Sequence, residues 1–179
     1  MSWEDYFEYN KRSRCYYYKD LSVVSLPANL PMPPTTNLAW VFGDCHQLQD
    51  ITALSSWDTS KVTDMRCMFH GCNKIQDITA LANWVVSSVE NMSCMFHECG
   101  QLQATTALSS WDTGTVTNMH GMFHRCTSLQ DITALANWNV SGVEDMYSMF
   151  SECKELKDTS AISNWDISGV ENMSCMFGD

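Results

Sequence analysis

The chain has 179 residues, a formal net charge of −11 and 45% hydrophobic residues. Neutralising phosphate needs clustered Lys and Arg, so so acidic a chain is excluded as a nucleic-acid binder and as a partner of anionic membrane faces. The hydrophobic content is that of a folded protein, and no apolar run reaches the ~18 residues of a membrane-inserted helix.

Residues 1–20 read as a helical cap. Ser2-Trp3-Glu4-Asp5 has the form of a capping box with Asp in the last place. Trp3, Tyr6, Phe7 and Asn10 would share one helical face, with Lys11, Arg12 and Arg14 at the end where the dipole favours cations. Acids stand where a signal peptide would have a basic region, and no apolar core follows. Taken as it stands, this start predicts a chain kept inside the cell.

Residues 21–179 read as one solenoid domain. Its first part, 21–53, is a degenerate repeat: Leu21 and Val24 lie 27 residues before Leu48 and Ile51. Pro27, Pro31, Pro33 and Pro34 favour extended backbone there. From Leu54 the period is explicit. Trp57, Trp84, Trp111, Trp138 and Trp165 are each 27 residues apart, as are the Met-Phe pairs from Met68-Phe69 to Met176-Phe177. Cys45, Cys72, Cys99, Cys126 and Cys153 keep the same step, and the last repeat is incomplete. A fixed period of this size marks a repeat architecture in which neighbours bury each other's apolar faces. Repeats alternate between Leu-Ser-Ser-Trp-Asp-Thr and Leu-Ala-Asn-Trp-x-Val, which points to a doubled 54-residue unit.

Within a repeat, Val62, Met65, Met68, Phe69 and Cys72 are spaced 3, 3, 1 and 3, which predicts a short helix or 3₁₀ turn over about 65–72. Leu48/Ile51, Ile75/Ile78 and Leu129/Ile132 predict brief strands that stack in parallel on the other side of the coil. The Trp-Asp-Thr-Ser stretch has turn chemistry. Cys recurs where a small buried residue fits, which predicts reduced structural thiols.

Three His-x-Cys sequences, at His70, His97 and His124, invite a zinc reading. The fourth copy is Ser151, and we read these histidines as surface residues pointing away from buried cysteines. Asp50, Asp77, Asp131 and Asp158 form an acidic column, and Asp58, Asp112 and Asp166 a second. They read as solvated or capping carboxylates rather than calcium ligands, since calcium requires 6–8 oxygens. The Trp column reads as a half-buried corner, and the Met columns as core. No nucleophile elbow, P-loop or dinucleotide fingerprint is present, so neither catalytic residue, metal nor cofactor is predicted, and the chain is not read as an enzyme.

The string Trp-Asp-Thr-Ser-x-Val-Thr-x-Met-x-x-Met-Phe-x-x-Cys, carried by Trp57, Asp58, Val62, Met65, Met68, Phe69, Cys72 and their copies, resembles the short repeats of BspA-like leucine-rich-repeat surface proteins. That resemblance covers about 45–179. It implies a right-handed leucine-rich-repeat-like solenoid used as a binding surface, adhesion to host proteins or other cells, placement at the cell surface, and no enzymatic activity. The expected function is a protein-interaction module. Its expected partner surface is Gln49, Asp50, Gln76, Asp77, Gln103, Gln130, Asp131, Lys157 and Asp158, facing outward on the strand side. The alternative is a structural segment of a longer fibre or stalk, self-associating end to end through an uncapped C-terminal coil.

Overall fold

The 27-residue period becomes a stack of coils in which each residue lies above its copy. The computed structural model describes residues 2–178; Met1, assigned above to the cap, and Asp179, assigned to the open end, lie outside the described residues. The phenyl rings of Phe42, Phe69, Phe96, Phe123, Phe150 and Phe177 form one column, with neighbouring centroids 5.6–5.7 Å apart and planes within 9°. From Phe42 to Phe150 these rings are buried, as are Met65, Met68 and their copies through Met149, so the Met columns are core as expected.

Two columns of buried donors tie each coil to the one before it. The indole N–H groups of Trp57, Trp84, Trp111, Trp138 and Trp165 donate to the carbonyls of Leu30, Leu54, Leu81, Leu108 and Leu135 at 2.9–3.1 Å. The tryptophans are 3–8% exposed, which makes this corner fully rather than half buried. The thiols of Cys72, Cys99, Cys126 and Cys153 donate to the carbonyls of Phe42, Phe69, Phe96 and Phe123 at 3.1–3.3 Å. Cysteine suits this column because it is small, apolar and carries a weak S–H donor. All nine cysteines are free.

The doubled unit also has a physical basis. Thr59 donates its hydroxyl to the Val85 carbonyl at 3.0 Å, and Thr113 does the same to Asn139 at 2.9 Å. In the coils between, Val86 and Val140 fill that column as buried hydrophobes. A threonine coil therefore bonds forward to a valine coil.

The predicted helix over 65–72 does not form. Two tight turns replace it, Met65–Met68 and Phe69–Cys72, closed by Met68 N–H to the Met65 carbonyl (3.3 Å) and Cys72 N–H to the Phe69 carbonyl (3.1 Å). The third residue of each turn is left-handed: Cys67 (φ 53°) and Gly71 (φ 72°). The pattern recurs at Cys94 and Glu98, Gly121 and Arg125, and Ser148 and Glu152. Alternate amides then point along the stack. Met65, Cys67, Phe69 and Gly71 donate to the carbonyls of Asn91, Ser93, Met95 and His97 at 2.8–2.9 Å. The apolar spacing suits a helix, but a helix would keep every hydrogen bond within its own coil. The stack satisfies half of them between coils instead.

The 3₁₀ turns lie elsewhere, at Thr52–Ser56, Thr79–Leu81, Thr106–Leu108, Thr133–Asn137 and Ser160–Ile162. The predicted strands around 48–51 and their copies reduce to isolated parallel bridges, Ser25 with Asp50 and Ala104 with Asp131. The longer bridge column runs through Asn37, Asp64, Asn91, Asn118, Asp145 and Asn172, just before the Met turn.

The N-terminal helix is also corrected. A single 3₁₀ turn, Trp3–Asp5, gives way to an antiparallel hairpin of β1 (Phe7–Asn10) and β2 (Cys15–Tyr18). The local capping contact does form, with Ser2 N–H donating to Asp5 Oδ2 at 2.8 Å. Aromatic residues dominate both strands and favour a pleated surface over a helix. Asn10 Oδ1 closes the connection by accepting from the N–H groups of Arg12 (2.9 Å) and Ser13 (3.2 Å). The hairpin still covers the first coil, since Phe7 lies 6.2 Å from Phe42 and 6.1 Å from Trp57.

Left-handed backbone is the local feature that this stack demands. Gly121 (φ 56°) occupies one such position, and an added Cβ there would meet Cys94 Sγ at 3.3 Å; Gly100 has room, its nearest atom being Thr127 Oγ1 at 3.5 Å. Gly121→Ala is expected to destabilise by about 1–2 kcal/mol, and Gly100→Ala by less than about 0.5 kcal/mol. Urea midpoints of the two variants check this; equal losses would contradict it.

Candidate functional site

Asx turns shape the exposed edge in four coils, and Ala104 stands at the position in the one between Asp77 and Asp131. Asp50 Oδ1 accepts the Thr52 N–H at 2.9 Å, Asp77 that of Thr79 at 2.8 Å, Asp131 that of Thr133 at 2.8 Å, and Asp158 that of Ser160 at 2.8 Å. The acidic column thus caps the 3₁₀ turns, in line with the capping reading. Asp58, Asp112 and Asp166 do the same for Ser60, Gly114 and Ser168 at 3.1–3.2 Å. These hydrogen bonds hold Asp50, Asp131 and Asp158 below the usual carboxylate range, chiefly the Thr52 amide at Asp50, the Thr133 hydroxyl at Asp131 and the Ser160 hydroxyl at Asp158. A carboxylate has two acceptor oxygens, and each turn engages Oδ1, so every capping aspartate keeps capacity for an outside donor.

The sequence-predicted partner residues do come together along this edge. Gln49, Asp50, Gln76, Asp77, Gln103, Gln130, Lys157 and Asp158 are exposed and Asp131 is half-buried. Gln76 Nε2 donates to Gln101 Oε1 at 2.7 Å across coils. A depression of about 230 Å³ opens between Asp50 and Asp77, floored by Ile51.

A second, half-buried strip follows the turns that hold the left-handed residues, and its histidines are more enclosed than the surface reading expected. The histidines do not point away from the body. His70, His97 and His124 stack along the coils with ring centroids 4.6 and 4.7 Å apart, extended by Trp40 at 4.9 Å from His70. His70 Nδ1, His97 Nε2 and His124 Nδ1 are buried atoms without a hydrogen-bond partner. Burial, then His97 and Arg125, hold His124 below the ordinary imidazole range. Arg125 spans three coils, with Nη1 3.0 Å from Glu98 Oε1 and Nε 3.1 Å from Glu152 Oε1. The sequence does show the column Cys67, Cys94 and Cys175, interrupted by Gly121 and Ser148, but not that it runs beside these histidines. Among the described residues, no three His, Cys, Asp or Glu side chains converge as metal ligands. None of the described helices is long and apolar enough to cross a membrane.

Along the stack, side chains of different chemistry repeat at one coil's spacing on a recurring backbone. The leucine-rich repeat protein of T. pallidum, known from a crystal structure, is similar over 100% of this chain and 99% of its own, with 14% identity and a TM-score of 0.42. No curated protein matches the chain. The model of a family described as "Mycoplasma protein of unknown function, DUF285" matches residues 36–134 and 102–179. With the coil repeat accounting for both matched segments, the chain belongs to the DUF285 family.

Proposed function

We propose that the protein is a non-enzymatic protein-interaction module of the BspA-like kind, presented at a cell surface and adhering to a host or cell-surface protein through the Gln/Asp edge. A single observation carries this reading. The core repeats almost without change, while the edge carries Gln49, Gln76, Gln103 and Gln130 in register beside Asp50, Asp77, Asp131 and Asp158, with Ala104 and Lys157 interrupting the two columns. Repeats of this kind add many weak contacts over a broad surface. The edge is acidic, so the partner is expected to carry a basic or amide-rich face.

Asparagine keeps an Oδ1 for the turn but loses the charge, so it separates binding from stability. The quadruple variant Asp50→Asn, Asp77→Asn, Asp131→Asn, Asp158→Asn is expected to lower its thermal midpoint only slightly, since these carboxylates are exposed or nearly so. It should lose about tenfold or more in affinity for a partner found by screening extracellular proteins. The corresponding alanine variants lose the Asx-turn acceptor and should lower the thermal midpoint further. A partner bound equally well by the asparagine variant would remove the edge from the reading, and turnover of a small substrate would remove the reading itself.

A further inference from the structure

We propose that Cys67 and Cys94 form a dithiol site that undergoes thiol–disulfide exchange with a low-molecular-weight disulfide, seated in the pocket that Gly121 leaves open above Cys94. The two cysteines occupy the same position in adjacent coils. Cys67 N–H donates to the Ser93 carbonyl at 2.8 Å, and Cys94 N–H to the His120 carbonyl at 2.7 Å, so the ladder holds them in register. Coils stacked at strand spacing, about 4.8 Å, fall inside the Cα separations a disulfide spans. The two thiols lie close enough that each shifts the other's ionisation, raising Cys67 and lowering Cys94.

The next coil makes the space. Every other described copy of this position carries a side chain, but the third is Gly121, whose missing Cβ would lie 3.3 Å from Cys94 Sγ. A pocket of about 220 Å³ results, with Cys94, His97, His120, His124 and Tyr147 around it. That volume is below the usual range for drug-sized ligands and suits a small disulfide. The Cys67 thiol, then the imidazoles of His97 and His120, favour the thiolate at Cys94 against its burial. Cys67 is held up as a thiol by the same contact and by burial. The other charged neighbours are Asp64 and Arg66, which act on Cys67. The remaining column cysteine, Cys175, is exposed and sits next to Ser148 rather than another thiol.

The exchange runs in two balanced steps. The Cys94 thiolate attacks one sulfur of R–S–S–R, the S–S bond breaks, and RS⁻ leaves and takes up a proton from solvent. Cys67 then gives up its proton to solvent and attacks Cys94 Sγ. The Cys67–Cys94 bond forms, and the second RS⁻ departs and is protonated. Two protein thiols are oxidised and one small disulfide is reduced to two thiols. The thiols facing the Phe carbonyls take no part, because burial holds them protonated.

Full-length protein treated with 2-hydroxyethyl disulfide or oxidised glutathione, then mapped by peptide mass, tests this. The expected result is a Cys67–Cys94 disulfide, with Cys67→Ser stopping at a mixed disulfide on Cys94. Alkylation of wild-type protein near pH 6, where an ordinary thiol is almost entirely protonated, should consume Cys94 about tenfold faster than Cys175. That readout needs no folded variant. First reaction at Cys175, or a mixed disulfide on Cys94 that never resolves onto Cys67, would overturn the proposal.

Discussion

Raising the pH above about 9 is expected to unfold the protein steeply. Five thiols lie in one column, and burial pushes Cys45 and Cys153 up to about 12 and Cys72, Cys99 and Cys126 well above the ordinary thiol value. A group whose pKa is raised on folding contributes stability that is fully present below its unfolded pKa, about 8.5 for a thiol. As pH rises through the interval up to the folded value, the unfolded chain loses these protons while the folded chain keeps them, and stability falls. Each thiol contributes a slope of about 1.4 kcal/mol per pH unit, so five give about 7 kcal/mol per unit. Folding free energies are typically 5–15 kcal/mol, so one to two pH units should suffice. The column residues are 0–9% exposed, so solvent screens little of this. Urea midpoints measured from neutral pH upward, read beside thiolate absorbance, check it. Thiolates of the five column cysteines should appear only as the chain unfolds, and Cys99→Ser should reduce the slope by about 1.4 kcal/mol per unit. Thiolates of these column cysteines appearing in a folded protein would refute the argument. The acid limb should be shallower. There the capping aspartates, depressed below the ordinary range, contribute stability that is lost as pH falls below about 4, and their exposure keeps each contribution small.

Phe96→Ala should be among the most damaging single substitutions. The ring is 0% exposed and lies 5.7 Å from Phe69 and 5.6 Å from Phe123. Truncating a buried Phe costs about 3–5 kcal/mol through lost burial and the cavity left behind. Phe177, 50% exposed on the last coil, should cost far less on the same change, about 1 kcal/mol. Pairs of substitutions test the architecture itself. Phe96→Ala with Phe123→Ala removes neighbours and should be non-additive by about 0.5–3 kcal/mol, while Phe42→Ala with Phe150→Ala should add within about 0.5 kcal/mol. Additivity in both pairs would mean that stability does not pass from coil to adjacent coil.

The sequence by itself determined the stack. Identical residues every 27 positions can all be buried only if the copies lie on one another, so the Phe, Met and Cys columns were legible as core without coordinates. The capping role of Asp50, Asp77, Asp131 and Asp158 was equally legible, because an Asx turn is local and needs only the residues beside it.

Tertiary structure decided the path of the backbone within a coil. The spacing of Val62, Met65, Met68, Phe69 and Cys72 fits a helix, yet the chain takes two tight turns, each with one left-handed residue, because alternate amides find carbonyls on the next coil. Those partners are 26 residues away, as from Cys67 to Ser93, and a pattern read in a short window does not see them. The same long-range bonding brought the histidines into a half-buried ladder and set Cys67 beside Cys94. It also turned the N-terminal segment into a hairpin whose Phe7 is held by Phe42 and Trp57, contacts no local propensity encodes.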